Sequence, residues 1–139
     1  MKITAQVHNS PKSHKAIVTT GEESQTLEIA AKRYGSGSSV SGGELLVLAL
    51  ATCFCNDVYR EAQKRNIVLE SVEVSAEAEF GAPGEPASLI RYKAKVEARA
   101  SEEQIVDLIR HTDRVAEIQN TVRAAIPVAL ERAEAVSRI

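Results

Sequence analysis

Hydrophobic and polar residues alternate along the first part of the chain, a pattern typical of β-strands. Alternation at residues 3–7 predicts one strand, and residues 16–20 can return as its antiparallel partner after the turn-forming segment 8–13. Alternation resumes at residues 27–31, which predicts a third short strand. A loop rich in Gly and Ser follows over residues 35–43. The chain therefore begins with a small antiparallel sheet.

A long helix is predicted from Glu44 to about Asn66, because no Gly or Pro interrupts this stretch. Its first half, residues 45–51, is apolar on every side, whereas the second half also carries charged residues. A helix that is apolar on all faces is buried on all faces. In so small a domain, we expect that burial to need a sheet on one side and a second copy of the chain on the other. The pattern therefore favours a homodimer.

Alternation returns in two further segments, residues 72–80 and 90–98, which are separated by the turn-forming cluster 81–86. Hydrophobic residues occupy one face of each segment. The other face is acidic in the first segment and basic in the second. Opposite charges across an antiparallel pair stabilise it by roughly 0.2–1 kcal/mol each. We interpret these charges as structural and not as a binding surface.

The C-terminal third is predicted to be helical. Residues 101–104 have the form of a capping box, and hydrophobic residues at helical spacing continue to Ala125. We expect a break near residues 111–113, with His111 marking a helix end, and a final end at Pro127. The complete pattern predicts an α+β fold in a single domain over residues 1–139, without internal repeats.

Composition and charge exclude several classes of partner. The chain has 17 basic and 19 acidic residues, a net charge of -2 and only 4% aromatic residues, which argues against nucleic acid binding. The longest uncharged apolar run, residues 45–55, is too short to cross a membrane, and the N-terminus lacks a signal-peptide pattern. We therefore expect a cytoplasmic protein with neither a nucleic acid nor a membrane as partner.

The two cysteines, Cys53 and Cys55, lie in the least polar part of the chain. On a helix they are separated by roughly 200°, so they cannot form a disulfide without unwinding the backbone. A buried cysteine is commonly a small hydrophobic residue with a raised pKa, and a reactive one needs a cation or hydrogen-bond donors from elsewhere. No further Cys or His lies at ligand spacing on this helix, so we expect neither a metal site nor a cofactor.

Residues 41–58, SGGELLVLALATCFCNDV, resemble the central-helix signature of the osmotically inducible protein C and organic hydroperoxide resistance (OsmC/Ohr) family. In that family a Pro-x-Glu-Leu-Leu opening leads through small and apolar residues to a Cys, followed four residues later, in distant branches, by Asp-Val. Glu44, Cys53, Asp57 and Val58 match these positions. The order of elements is also similar over nearly the whole chain. The resemblance implies antiparallel strands packed on a long central helix, in an intertwined homodimer.

The resemblance further implies the thiol-dependent reduction of organic hydroperoxides, with Cys53 as the peroxidatic cysteine. Glu44 would be a second catalytic residue, and Phe54 and Tyr59 would contact a small hydrophobic peroxide. Each of the three also has a structural interpretation. Glu44 complements the helix dipole, whereas Phe54 and Tyr59 are ordinary packing residues.

Three features of the family are missing from this sequence, the first being the proline before the glutamate, where Gly42 and Gly43 stand instead. The family's second, resolving cysteine would stand at Ala116, and its activating arginine has no counterpart in the turn at residues 8–15. An external thiol reductant would then have to reduce the sulfenic acid of Cys53. The alternative is a non-catalytic protein of the same fold that binds a small hydrophobic ligand at the dimer interface, with Cys53 in its lining.

Overall fold

The computed structural model describes residues 1–138 and has the α+β fold that the sequence predicts, with antiparallel strands and a long helix. In chain order the elements are β1 (Ile3–Ser10), β2 (Ser13–Thr20), β3 (Glu23–Leu27), α1 (Gly42–Lys64), β4 (Leu69–Phe80), β5 (Ala87–Ala98), α2 (Glu102–Val115) and α3 (Glu117–Arg123). The chain divides into two compact units, Met1–Leu48 and the residues from Ala49 onward, which are described separately. The number of domains stays a prediction.

The first unit contains a three-stranded antiparallel sheet in the order β1-β2-β3. Two-residue turns close both hairpins. Lys12 and Gly21 have positive φ angles of 65° and 60° in these turns, as tight hairpin turns require. The first hairpin is therefore present as predicted, but its turn is shorter than the predicted segment 8–13, because the two strands stay paired as far as Ser10 and Ser13.

The third strand lies earlier in the chain than the sequence analysis places it. We predicted a strand over residues 27–31, but β3 ends at Leu27 and Ala31 forms only an isolated bridge with Ser38. The reason is the tight turn at Gly21, which returns the chain so sharply that pairing with β2 already begins at Glu23.

Hydrophobic side chains of the first unit are widely exposed in a single copy of the chain. Every residue of β1 is exposed, and on the first half of α1 the side chain of Leu48 is 59% exposed. The sequence analysis expects a second copy of the chain to cover this half of the helix. The homodimer stays a prediction.

The second unit holds the main hydrophobic core. β4 and β5 form an antiparallel pair in which Glu73 lies opposite Lys95 and Glu77 opposite Arg91, as the charge pattern predicts. The hydrophobic face of this pair packs against α1 and α2 around six buried residues: Phe54, Val58, Ala62, Val96, Leu108 and Ala116. The C-terminal half of α1 is thereby fixed in the core.

The start of α2 is confirmed, but its predicted break is wrong. The side chain of Ser101 accepts a hydrogen bond from the backbone N–H of Gln104, and the Gln104 side chain accepts one from the backbone of Ser101. α2 then continues through residues 111–113 to Val115, so His111 does not mark a helix end. The chain has no Gly or Pro there, and the side chain of His111 bonds to another helix instead of capping its own.

The actual break lies at Ala116, whose ψ of 112° is extended and separates α2 from α3. α3 ends at Arg123, earlier than the predicted end at Pro127. Ala125 has a positive φ of 49°, so the backbone leaves the helical conformation before the proline is reached.

By length and composition alone, the 23 residues of α1 could cross a membrane. A single such helix is weak evidence of a membrane span, because core helices of soluble proteins have the same composition. Its second half buries Phe54 and Val58 in the protein core and carries the charged residues Arg60 and Glu61. These features are those of a core helix.

Candidate functional site

Cys53 lies in the middle of α1, half-buried, where this helix meets the start of α3. Its Sγ donates a hydrogen bond to Oδ2 of Asp57 over 3.3 Å. The two residues are four positions apart, so the helix itself places their side chains on one face. From α3, the backbone N–H of Ile118 donates a hydrogen bond to the same sulfur. The thiol therefore has both a proton acceptor and a backbone donor.

A second carboxylate and an arginine complete the cluster. Nη1 of Arg60 lies 3.0 Å from Oδ1 of Asp57 and 2.9 Å from Oε1 of Glu117. Nε of Arg60 donates to Oε1 of the buried Glu61 over 2.9 Å. One guanidinium thus holds three carboxylates and links α1 to the first residue of α3.

The surroundings of Cys53 favour the protonated thiol. Burial raises its pKa most, the N–H of Ile118 opposes this change, and the carboxylates of Asp57 and Glu117 raise the pKa further. The pKa of Asp57 is also raised, chiefly by burial, whereas that of Glu117 is lowered, chiefly by its own backbone N–H. Asp57 is therefore the member of the carboxylate pair that takes up a proton more readily.

Glu61 anchors the cluster from the core side. It accepts hydrogen bonds from Arg60, from Lys64 over 3.0 Å and, through its second oxygen, pairs with Nε2 of His111 over 3.1 Å. The hydrogen bonds from Arg60 and Lys64 lower its pKa from 4.5 to about 2, although burial opposes them. Glu61 is consequently charged at any physiological pH and fixes the position of Arg60.

Arg60, Asp57 and Glu117 were not predicted as a group from the sequence. The family resemblance implies an activating cation at residues 8–15. Arg60 instead lies one turn after Asp57 on the same helix. The i, i+3 spacing of Asp57 and Arg60 indicates a possible ion pair, but from the sequence it is interpreted only as the polar face of a helix. Glu117 comes from a distant element, and no local pattern indicates its position.

The cluster contains groups that could bind a divalent metal ion. One ligand atom each of Cys53, Asp57 and Glu117 lie within 4.8 Å of one another. Cys and His spacing on α1 does not indicate this set, because two of its three ligands are carboxylates and one comes from α3. The guanidinium of Arg60 already binds both carboxylates, so a cation would have to displace it.

The two predicted substrate-contact residues lie in different surroundings. Phe54 is fully buried, and its ring packs against that of Tyr92 with 4.9 Å between centroids. Tyr59 is 50% exposed and lines a cavity of about 580 Å³, which Arg60 and Val68 also line. Their contact with a substrate stays a prediction.

Glu44 lies in the first turn of α1, where it is exposed and its backbone N–H donates to Oγ of Ser41 over 3.1 Å. Cys55 is a half-buried free thiol, as is Cys53. The catalytic role of Glu44 stays a prediction.

Ala116 stands where the resemblance to the family implies a second cysteine. Ala116 is fully buried at the α2–α3 break, directly before the residues of α3 that contact the Cys53 cluster. Three residues after Ala116, the side chain of Gln119 donates to the backbone oxygen of Leu50 over 2.9 Å and holds α3 against α1. This geometry keeps Glu117 and Ile118 close to the thiol.

The sequence model of the family described as OsmC-like protein matches residues 35–131, most of the chain and all of the cluster around Cys53. The chain belongs to the OsmC-like family. No curated protein sequence matches it.

Solved structures of OsmC-like proteins share the fold at low sequence identity. An OsmC-like protein from Mycoplasma pneumoniae is 17% identical, with a TM-score of 0.63 and coverage of 88% of this chain and 86% of that one. An organic hydroperoxide resistance protein OsmC from Legionella pneumophila is 19% identical, with a TM-score of 0.60 and coverage of 88% and 90%. An OsmC-like protein of unknown function from Vibrio cholerae is 16% identical, with a TM-score of 0.62 and coverage of 87% and 93%. These likenesses establish the fold.

Proposed function

We propose that this OsmC-like protein reduces organic hydroperoxides with Cys53 as the peroxidatic thiol. The observation that carries the proposal is the hydrogen bond of 3.3 Å from Sγ of Cys53 to Asp57, inside a polar cluster built on an otherwise apolar helix. Placing charged groups around a half-buried thiol costs desolvation energy that packing alone does not require. A neighbour described as an organic hydroperoxide resistance protein has the same fold and supports the same chemistry.

The proposed reaction uses the hydrogen-bonding groups around Cys53. The sulfur attacks the outer oxygen of the hydroperoxide, the O–O bond breaks, and Cys53 becomes a sulfenic acid while the peroxide is reduced to an alcohol. Asp57 accepts the thiol proton as the S–O bond forms and returns it to the departing alkoxide oxygen. The N–H of Ile118 stabilises the negative charge that develops on sulfur.

An external thiol completes the cycle. Ala116 occupies the position of the family's resolving cysteine, and Cys55 lies on a different side of α1, roughly 200° around the helix. One reductant thiol attacks the sulfenic acid of Cys53, which forms a mixed disulfide and releases water. A second reductant thiol attacks this disulfide and returns Cys53 to its thiol form.

We also propose that the protein acts as a cytoplasmic homodimer. Tyr59, with its half-exposed ring, would contact the hydrophobic part of the peroxide.

The test is a titration with cumene hydroperoxide followed by intact-protein mass, with and without a reagent that traps sulfenic acids. We expect one added oxygen per chain in the wild type and in Cys55→Ser, and none in Cys53→Ser. Cys55→Ser is the matched control because it removes the same group two residues away on the same helix. Oxidation that persists in Cys53→Ser contradicts the proposal.

One observation favours the alternative of a non-catalytic protein that binds a small hydrophobic ligand. Burial and two carboxylates raise the pKa of Cys53, which reduces the thiolate available to attack a peroxide. The same titration separates the two functions. If both thiols of the folded wild type stay unmodified at excess peroxide, ligand binding is the better assignment.

A further inference from the structure

Carboxylates surround the reactive sulfur more closely than cations do. Sγ of Cys53 lies 3.3 Å from Oδ2 of Asp57, and carboxylate atoms of Asp57 and Glu117 both belong to the group within 4.8 Å. The side chain of Glu117 is 63% exposed, so its carboxylate is in contact with solvent while lying close to the half-buried sulfur. A reactant at Cys53 therefore meets a negative charge nearby.

The cation of the cluster, Arg60, is bound by the carboxylates and has no hydrogen bond to the sulfur. Arg60 bonds to Oδ1 of Asp57, whereas the thiol bonds to Oδ2, so the guanidinium and the sulfur use different oxygens of the carboxylate. Arg60 is also shared with Glu117 and Glu61. The cluster thus places one guanidinium among three carboxylates, of which Glu61 is also bound by Lys64 and paired with His111.

From this geometry we infer that the thiol reductant of Cys53 is a neutral or cationic molecule and that anionic thiols are disfavoured. The inference rests on the proposed function and specifies the chemical class of its second substrate. The attacking species is a thiolate, which already carries one negative charge. A thiol with an added carboxylate approaches with two negative charges, whereas a thiol with an added ammonium group approaches with none.

The step is the same for each reductant. The thiolate attacks the sulfur of the Cys53 sulfenic acid, an S–S bond forms, and the departing hydroxide takes up a proton to leave as water. A second reductant molecule then attacks the mixed disulfide, which returns Cys53 as the thiol and releases the oxidised reductant. Two electrons from two reductant thiols balance the two taken by the peroxide.

The test compares three thiols of similar size: 2-aminoethanethiol, 2-mercaptoethanol and mercaptoacetate. Wild-type protein is oxidised with cumene hydroperoxide, freed of excess peroxide and mixed with each thiol, and the loss of sulfenic acid is followed with time. Rates are divided by the thiolate concentration of each reagent, so that differences in thiol pKa do not enter. We treat the cluster as one net negative charge at about 6 Å from the charged groups of the reductant in water. The two reagents differ by two charges, so we expect the aminothiol to react roughly tenfold faster than mercaptoacetate at low ionic strength.

Two variants identify the source of the effect. Glu117→Gln removes the exposed carboxylate next to the sulfur and is expected to reduce the ratio of the two rates toward one. Glu79→Gln, an exposed carboxylate on β4, removes the same charge elsewhere and is expected to leave the ratio unchanged. High salt should also reduce the wild-type ratio, because the Debye length falls to about 3 Å at 1 M salt.

Each outcome bears on the inference separately from the proposed function. Equal thiolate-corrected rates, a faster anionic thiol, or a ratio that survives Glu117→Gln overturns the charge selection while the peroxidase reaction stands. If the wild type forms no sulfenic acid, the proposed function fails and the inference fails with it.

Discussion

The buried carboxylate of Glu61 should make the stability of the second unit depend on pH in a defined window. Its pKa is lowered from 4.5 to about 2 in the folded chain, mainly by the hydrogen bonds from Arg60 and Lys64. A depressed folded pKa adds stability above pH 4.5, and this stability is lost as the pH falls toward 2. Glu61→Gln removes the charge and keeps the size of the side chain.

The size of the effect follows from the pKa shift. At about 1.36 kcal/mol per unit, the full shift corresponds to roughly 3 kcal/mol of the free energy of unfolding. Because Lys64 and Arg60 are open to solvent, we halve this figure and expect a loss of about 1 to 2 kcal/mol at pH 7 in Glu61→Gln. At pH 3 the unfolded chain is protonated and much of the difference from wild type should disappear.

Urea unfolding of wild type and Glu61→Gln at pH 7, 5 and 3 measures this dependence. The difference between the two proteins isolates Glu61 from the other carboxylates, which protonate in both. Glu79→Gln, at an exposed position on β4, is the control and should follow the wild type at each pH. A Glu61→Gln difference that is the same at pH 7 and pH 3 would refute the reasoning, because it would show that charge is not what Glu61 contributes.

Three further predictions follow from the core and the site. Phe54→Ala removes a fully buried ring and should lower the free energy of unfolding by about 3–5 kcal/mol in urea, whereas an equal stability would contradict its place in the core. Asp57→Asn removes a hydrogen-bond acceptor and a negative charge beside Cys53, so the pKa of the thiol should fall. The midpoint of the pH dependence of iodoacetamide alkylation should therefore move to lower pH, and a move to higher pH would contradict the effect assigned to Asp57. Ala116→Cys should restore a resolving thiol, seen as an internal disulfide and a loss of two hydrogens in intact mass after cumene hydroperoxide; persistence of the sulfenic acid would show that residue 116 cannot reach Cys53.

Local sequence patterns predicted most of the fold. The alternation in β4 and β5, the opposite charges across them and the capping box at Ser101 are confirmed, since each depends on residues close in sequence or on a simple hairpin. The break between α2 and α3 was placed too early because nothing in the composition marks Ala116. Its extended backbone is a consequence of packing in the core, which a local pattern does not encode.

The candidate site was predicted only in part, for a related reason. Cys53 and Asp57 were found because they lie on one helix and match a family signature. Glu117 approaches them from an element more than fifty residues away, and Arg60 gains its meaning only from the three carboxylates that it joins. Contacts between distant elements are set by the tertiary structure, so the spacing along the chain could indicate the pair of Asp57 and Arg60 but not the part of Glu117 in this network.

The single guanidinium of Arg60 also constrains how this part of the molecule can change during evolution. Replacing Arg60 alone would leave Asp57, Glu61 and Glu117 close together without the cation that they share. Such a sequence would be destabilised until at least one carboxylate was lost or another cation was gained. Among relatives that share this network, changes at residue 60 should therefore occur together with changes at residues 57, 61 or 117, as a linked set of substitutions.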